Sequence, residues 1–142
     1  MTSLEPVIVA RLIKEEDLNH HGTLFAGRMA EWFIEACFIA ACRTIGRPEE
    51  VVCLKLHGLE FTTPASKGDI LTFRTFPVRA GRTSLTVFGR VIKNDSPNPM
   101  VDGFVTFVKV DTEGRPVPHG IVLPEPRSEE ERRIREIAEN LR

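Results

Sequence analysis

Very little charge of either sign is left over in this sequence. Its 19 Lys and Arg stand against 20 Asp and Glu, a net charge of −1 over 142 residues. Binding nucleic acid or an anionic membrane through the overall field would need a basic excess, so neither is an expected partner. Cysteine is scarce too, with only Cys37, Cys42 and Cys53. An odd number cannot pair off completely, and their apolar neighbours fit a reducing, cytoplasmic compartment. No run approaches the roughly 18 apolar residues of a spanning helix. The start, Met1-Thr2-Ser3-Leu4-Glu5-Pro6, lacks the basic beginning and apolar stretch of a secretory leader. What remains is the expectation of one globular domain, large enough to build a core without staples.

Punctuation divides the chain. Val7 to Ile13 is a short β-branched run and reads as a strand. Polar residues from Asp17 to Gly22 break it. From Thr23 to about Arg43 there is no Pro, and Met29, Trp32, Phe33, Ala36, Cys37 and Ala40 recur at helical spacing. Ile34, Phe38, Ile39 and Ala41 widen that stripe, which predicts a buried helix. Gly46 and Pro48 stop it. Four strand-like runs follow: Val51 to Phe61, Ile70 to Val78, Ser84 to Ile92 and Met100 to Val110. Between them lie Pro64 with Gly68-Asp69, then Gly81-Arg82, then the polar stretch from Asn94 to Pro99. Such short breaks favour antiparallel neighbours. In the Ser84 run, Leu85, Val87 and Val91 take one face, and Ser84, Thr86 and Arg90 the other. Prolines 116, 118, 124 and 126 predict extended chain. Ser128 reads as the N-cap of a polar helix with an acidic first turn. That last helix shows no strong apolar face and is expected on the surface or at a subunit contact.

One strand, one buried helix, four strands and a polar helical tail predict an α+β fold with a sheet curled about the helix. The expected division is a main domain over residues 1–127 and a helical tail over 128–142. The segment from Asn19 through His20, His21, Gly22, Thr23, Leu24, Phe25 and Ala26 to Gly27 resembles the helix-entry motif of hotdog-fold acyl-CoA thioesterases. The branch it resembles is that of small bacterial acyl-CoA hydrolases and the half-domains of the brain-type cytosolic acyl-CoA hydrolase. Three later stretches fall in the family's order: Val51 to Phe61 with its Pro64 and Gly68-Asp69 turn, Gly81 to Leu85, and Phe104 to Asp111 with Gly114-Arg115-Pro116. The resemblance covers about residues 7–119. It implies a five-stranded antiparallel sheet around one long helix, with the active site formed between two such units. One departure matters: the family's acidic helix position falls on Ile34 here, while Glu35 matches a second acid that many members carry.

Thioester hydrolysis needs an activated water and donors for the oxyanion. The first amides of the long helix, near Ala26 and Gly27, have no intrahelical partner and suit the second task. Gly22 and Gly27 would admit an acyl group close to that backbone, or merely shape a turn. Glu35 and Glu31 are the candidate bases, and Glu35 comes first because it lies nearest the missing acid. They share one stripe, about 40° apart around the helix. In an apolar setting either carboxyl would titrate above its ordinary range, as a base requires. The bland alternative is a solvated stripe in which Arg28 pairs with Glu31. Asn19 is a candidate for positioning water, or else satisfies a turn. His21 is a candidate base or substrate contact. Thr23 and Phe25 complete the entry segment as substrate contacts. Arg82, Thr83 and Ser84, after a turn glycine, are candidates for the phosphates of coenzyme A. Lys55, Lys67 and Arg79 are equal candidates for that role. Cys37 and Cys42 read as small core residues. No metal is expected, since adjacent histidines diverge and His57 and His119 add no ligand spacing.

The implied activity is hydrolysis of an acyl-CoA thioester to free acid and CoA, with the acyl chain beside Trp32, Phe33 and Phe38. No cofactor is implied beyond coenzyme A as part of the substrate. The competing reading is a hotdog domain that binds acyl-CoA without hydrolysing it, for which Ile34 argues. A hydratase is a weaker alternative, lacking its usual His-containing motif. One hotdog unit per chain implies at least a homodimer, assembled further to a tetramer or hexamer.

Overall fold

The computed structural model describes residues 4–141. Its elements in chain order are strand β1 (Val7–Leu12), a 3-10 turn (Glu15–Asp17), helix α1 (Ala26–Ile45), a 3-10 turn (Pro48–Glu50), strands β2 (Val51–His57), β3 (Ile70–Ala80), β4 (Ser84–Lys93) and β5 (Val101–Lys109), and helix α2 (Glu129–Glu139). The strands make one antiparallel sheet in the order β1-β3-β4-β5-β2. Helix α1 touches every strand of it. This is the expected hotdog arrangement.

Boundaries shift where local bonding competes with periodicity. Helix α1 starts at Ala26, not Thr23, because Leu24 and Thr23 are held in isolated bridges to Leu18 and Ser66. Strand β2 stops at His57, before Gly58, rather than at Phe61. Strand β3 runs on to Ala80 through an irregularity between Pro77 and Arg79, the kind of place where a strand tolerates proline.

The core lies between α1 and the sheet. Phe33 and Cys37 of α1 are fully buried against it. Gly89 of β4 pairs with Gly103 of β5, and the Phe33 ring sits over both. A Cβ on Gly89 would stand 2.7 Å from that ring, and one on Gly103 3.0 Å. Two cross-strand glycines thus make the hollow that lets the helix approach. Across this interface the buried Thr75 hydroxyl donates to the Ala36 carbonyl at 3.0 Å.

The other face of the sheet is not left to solvent, which corrects the reading of the C-terminal helix. Ile134 and Ala138 of α2 are buried with Phe76, Val78, Phe88 and Phe104. Two apolar residues at i and i+4 suffice because the strands supply the rest of the contact. Phe88 falls on the face of β4 shared with Thr86 and Arg90, and it is the sequence signal that this face is covered. Arg90 grips Asp102 at 2.8 and 3.0 Å and also pairs with Glu130 of α2. The predicted cap is present: the Ser128 hydroxyl accepts from the Glu131 amide at 3.1 Å.

Candidate active site

The segment before α1 is a closed loop built on Asn19. Its main-chain amide donates to the Thr23 carbonyl at 2.7 Å, and its carbonyl accepts from the Gly22 amide at 3.1 Å. Its side-chain Oδ1 accepts from the amides of His21 at 2.8 Å and Thr23 at 3.2 Å. Nδ2 donates to the Thr23 hydroxyl at 3.2 Å. Gly22 takes φ +81°, a conformation that favours glycine. Asn19 therefore does satisfy a turn, with one Nδ2 hydrogen left over. His21 is exposed and its ring lies against His20, centroids 3.9 Å apart.

Asp17 anchors this loop to the helix start. It is 4% exposed, accepts from the Lys14 amide at 2.8 Å and faces Arg28 at 3.4 Å. Its carbonyl receives the Phe25 amide. The helix that follows has no side-chain cap and no acid in its first turn. Among the described residues the amides of Ala26 and Gly27 have no acceptor, and the first bonds of the turn are made by Arg28 and Met29 to Phe25. Free amides at the positive end of a helix dipole are an anion-binding arrangement. The exposed Phe25 ring leans over Gly27, where a Cβ would stand 2.6 Å from it.

The two glutamates are not buried, and the expectation of an apolar setting is corrected. Their side chains are 65% and 52% exposed, and both are paired. Glu31 lies 3.6 Å from Arg28, the bland alternative of the sequence reading. Glu35 is held by Arg11 of β1, whose guanidinium also lies over the Trp32 ring at 5.5 Å. Arg11 was invisible to local spacing, since it reaches Glu35 from another element. Both acids share the outward stripe of α1 with the half-buried Ile34 and Phe38. Trp32 and Phe33 are buried, Trp32 edge-on to Phe73, and only Phe38 keeps an open side, its ring 5.8 Å from Phe107.

Arg82, Thr83 and Ser84 form the β3–β4 turn. Among the described residues Arg82 has no ion pair, whereas Lys67 pairs with Glu15 at 3.4 Å and Arg79 with Glu139 at 3.4 Å. This turn lies at the far end of the sheet from the helix entrance. Ser84 opens β4 opposite Val108, near where α1 ends, while Asn19 and Gly27 lie near where β3 begins and β4 ends. Ten residues of β4 separate the two ends by about 30 Å, and twenty residues of α1 give the same span. One chain does not bring its own Arg82 to its own Gly27.

Burial pushes the Cys37 thiol well up, and partial burial raises Cys42 and Cys53 too, so none favours the reactive thiolate. Among the described residues no three His, Cys, Asp or Glu gather as a metal site, and no helix is long and apolar enough to cross a membrane.

Known proteins match this geometry. Acyl-CoA thioester hydrolase YkhA of Bacillus subtilis, itself described as uncharacterized, is 31% identical over 117 residues, 80% of this chain and 67% of its own. The crystal structure of acyl-CoA hydrolase from Bacillus cereus superimposes with a TM-score of 0.84 at 29% identity, covering 94% of this chain and 81% of that one. An apo-hexameric acyl-CoA thioesterase gives 0.81 at 32% identity, covering 94% and 86%. The thioesterase superfamily profile matches residues 21–99, from within the Asn19 loop through α1 to the loop between β4 and β5. With the α1-on-sheet architecture and the uncapped helix entrance, these matches place the chain in the thioesterase superfamily.

Proposed function

We propose that the protein is an acyl-CoA thioesterase, converting acyl-CoA and water to free acid and CoA. The observation that carries this is the start of α1, where the Ala26 and Gly27 amides have no partner. A thioester carbonyl seated there develops its negative charge against two fixed donors. Glu31 takes the proton from the attacking water, and the tetrahedral intermediate then expels the CoA thiolate. Glu31 is preferred over Glu35 because the Arg11 guanidinium donates a hydrogen bond to the Glu35 carboxylate, whereas Arg28 stays 3.6 Å from Glu31. Asn19 lends its remaining Nδ2 hydrogen to the water or the carbonyl. The acyl chain lies on the Ile34 and Phe38 stripe. Arg82, with the Thr83 and Ser84 hydroxyls, holds the phosphates of coenzyme A. The chemistry asks for no cofactor beyond the coenzyme A of the substrate, and a cytoplasmic location suits it.

A site of this kind needs a second copy. Strand β2 is an edge strand with Val52 and Leu54 exposed, and Phe38 of α1 leads toward it over β5. Two copies meeting there with antiparallel helices bring the Arg82 turn of one to the Gly27 entrance of the other. The working form is then at least a dimer, and the similar hexameric thioesterase suggests further assembly. Each chain contributes one hotdog unit, with helix α2 docked on the outer face of its sheet.

Ile34 at the family's acidic position favours a second reading, a domain that binds acyl-CoA without turnover. Thiol release from a panel of acyl-CoAs decides between them. Turnover that falls with Glu31→Gln supports the first reading, and saturable binding without turnover supports the second.

A further inference from the structure

After β5 the chain turns back and passes beside the Arg82 turn, and one histidine fastens the two. The Val117 amide donates to the Lys109 carbonyl at 2.9 Å, which brings the strap alongside the end of β5. The Lys109 amide donates in turn to the Thr83 carbonyl at 2.9 Å. His119 then bonds the turn twice. Its main-chain amide donates to the Arg82 carbonyl at 3.3 Å, and its ring Nε2 donates to the Ser84 carbonyl at 2.7 Å. The ring's other nitrogen, Nδ1, accepts from the Ile121 amide at 2.9 Å. An acceptor Nδ1 leaves the proton on Nε2, the tautomer the Ser84 carbonyl requires. The imidazole therefore spends both nitrogens on main chain.

The Ser84 carbonyl also receives the Gly81 amide at 2.9 Å, the bond that closes the turn. His119 thus braces both the Arg82 carbonyl and the closing bond of a turn whose guanidinium is exposed and has no ion pair among the described residues. Bracing of this kind holds a charged side chain ready for a ligand and lowers the ordering cost of binding. We propose that His119 is a positioning residue for coenzyme A: it holds the Arg82–Ser84 turn in the conformation that meets the nucleotide phosphates. The proposal rests on the reading of that turn as the phosphate contact.

The test compares two substrates of one acyl group, an acyl-CoA and the corresponding acyl-pantetheine, which lacks the nucleotide. His119→Ala removes a ring donor and a ring acceptor, and is expected to raise KM for acyl-CoA by about 3- to 10-fold. KM for acyl-pantetheine and kcat for both substrates are expected to hold. His119→Gln, whose amide keeps one donor and one acceptor, is expected to recover most of the affinity and guards against misfolding of the alanine variant. Equal loss on both substrates, no change on either, or failure of glutamine to rescue overturns the proposal. Arg82→Ala runs in parallel. If it too leaves the ratio of the two KM values unchanged, the phosphate reading of the turn falls and the proposal with it. If Arg82→Ala shifts the ratio and His119→Ala does not, the proposal alone falls.

Discussion

Glu31 and Glu35 show what a single side chain reveals and what it hides. Their shared stripe was readable from their spacing, yet their exposure was not, because apolar neighbours in sequence need not be neighbours around the helix. If Glu31 is the base, Glu31→Gln is expected to lower kcat by about 10²- to 10⁴-fold with little change in KM, while Glu35→Gln retains most activity. Steady-state kinetics on one acyl-CoA checks this. Phe33 carries a different load. It is fully buried over Gly89 and Gly103, so Phe33→Ala is expected to cost about 3–5 kcal/mol in urea unfolding. Cys37 tests burial chemically. Its raised thiol is expected to resist iodoacetamide at neutral pH in the native protein and to react once the protein is unfolded. Asn19 was legible as a candidate in the helix-entry motif, but only coordinates show its amide closing a turn. The bracing role of His119 carried no sequence signal, since the two main-chain carbonyls it holds are 35 and 37 residues away.

At the level of elements, periodicity and turn chemistry placed all five strands and both helices. The long helix was legible because its apolar residues follow helical spacing without proline, and its end because Gly46 and Pro48 stand together. Its start was not, since Leu24 bridges back to Leu18 and Thr23 to the distant Ser66, pairings that helical spacing does not show. The tail helix misled for a related reason. Its own stripe is short, and the surface it needs belongs to β3, β4 and β5. Ile134→Ala is therefore expected to destabilise the protein by about 2 kcal/mol, and Ser128→Ala by about 1 kcal/mol through loss of the cap. Thermal and urea unfolding measure both. A freely solvated tail would show neither effect.

For the whole molecule, the proposed site needs two copies, because one hotdog unit carries the helix entrance at one end of its sheet and the Arg82 turn at the other. That division was expected from the resemblance, and the strand and helix lengths give it a physical basis, because about 30 Å separates Arg82 from Gly27 within one chain. Leu54→Asp, which places a charge on the exposed edge strand, is expected to weaken the dimer and lower activity together, as sedimentation and kinetics would show. The most direct test of the shared site is complementation between Glu31→Gln and Arg82→Ala. Each is impaired as a homodimer at acyl-CoA concentrations below KM. A heterodimer isolated with two tags pairs one intact Glu31 with one intact Arg82 at one of its two sites. The account predicts thiol release at about half the wild-type rate from that heterodimer. A rate no higher than the mean of the two homodimers would contradict it.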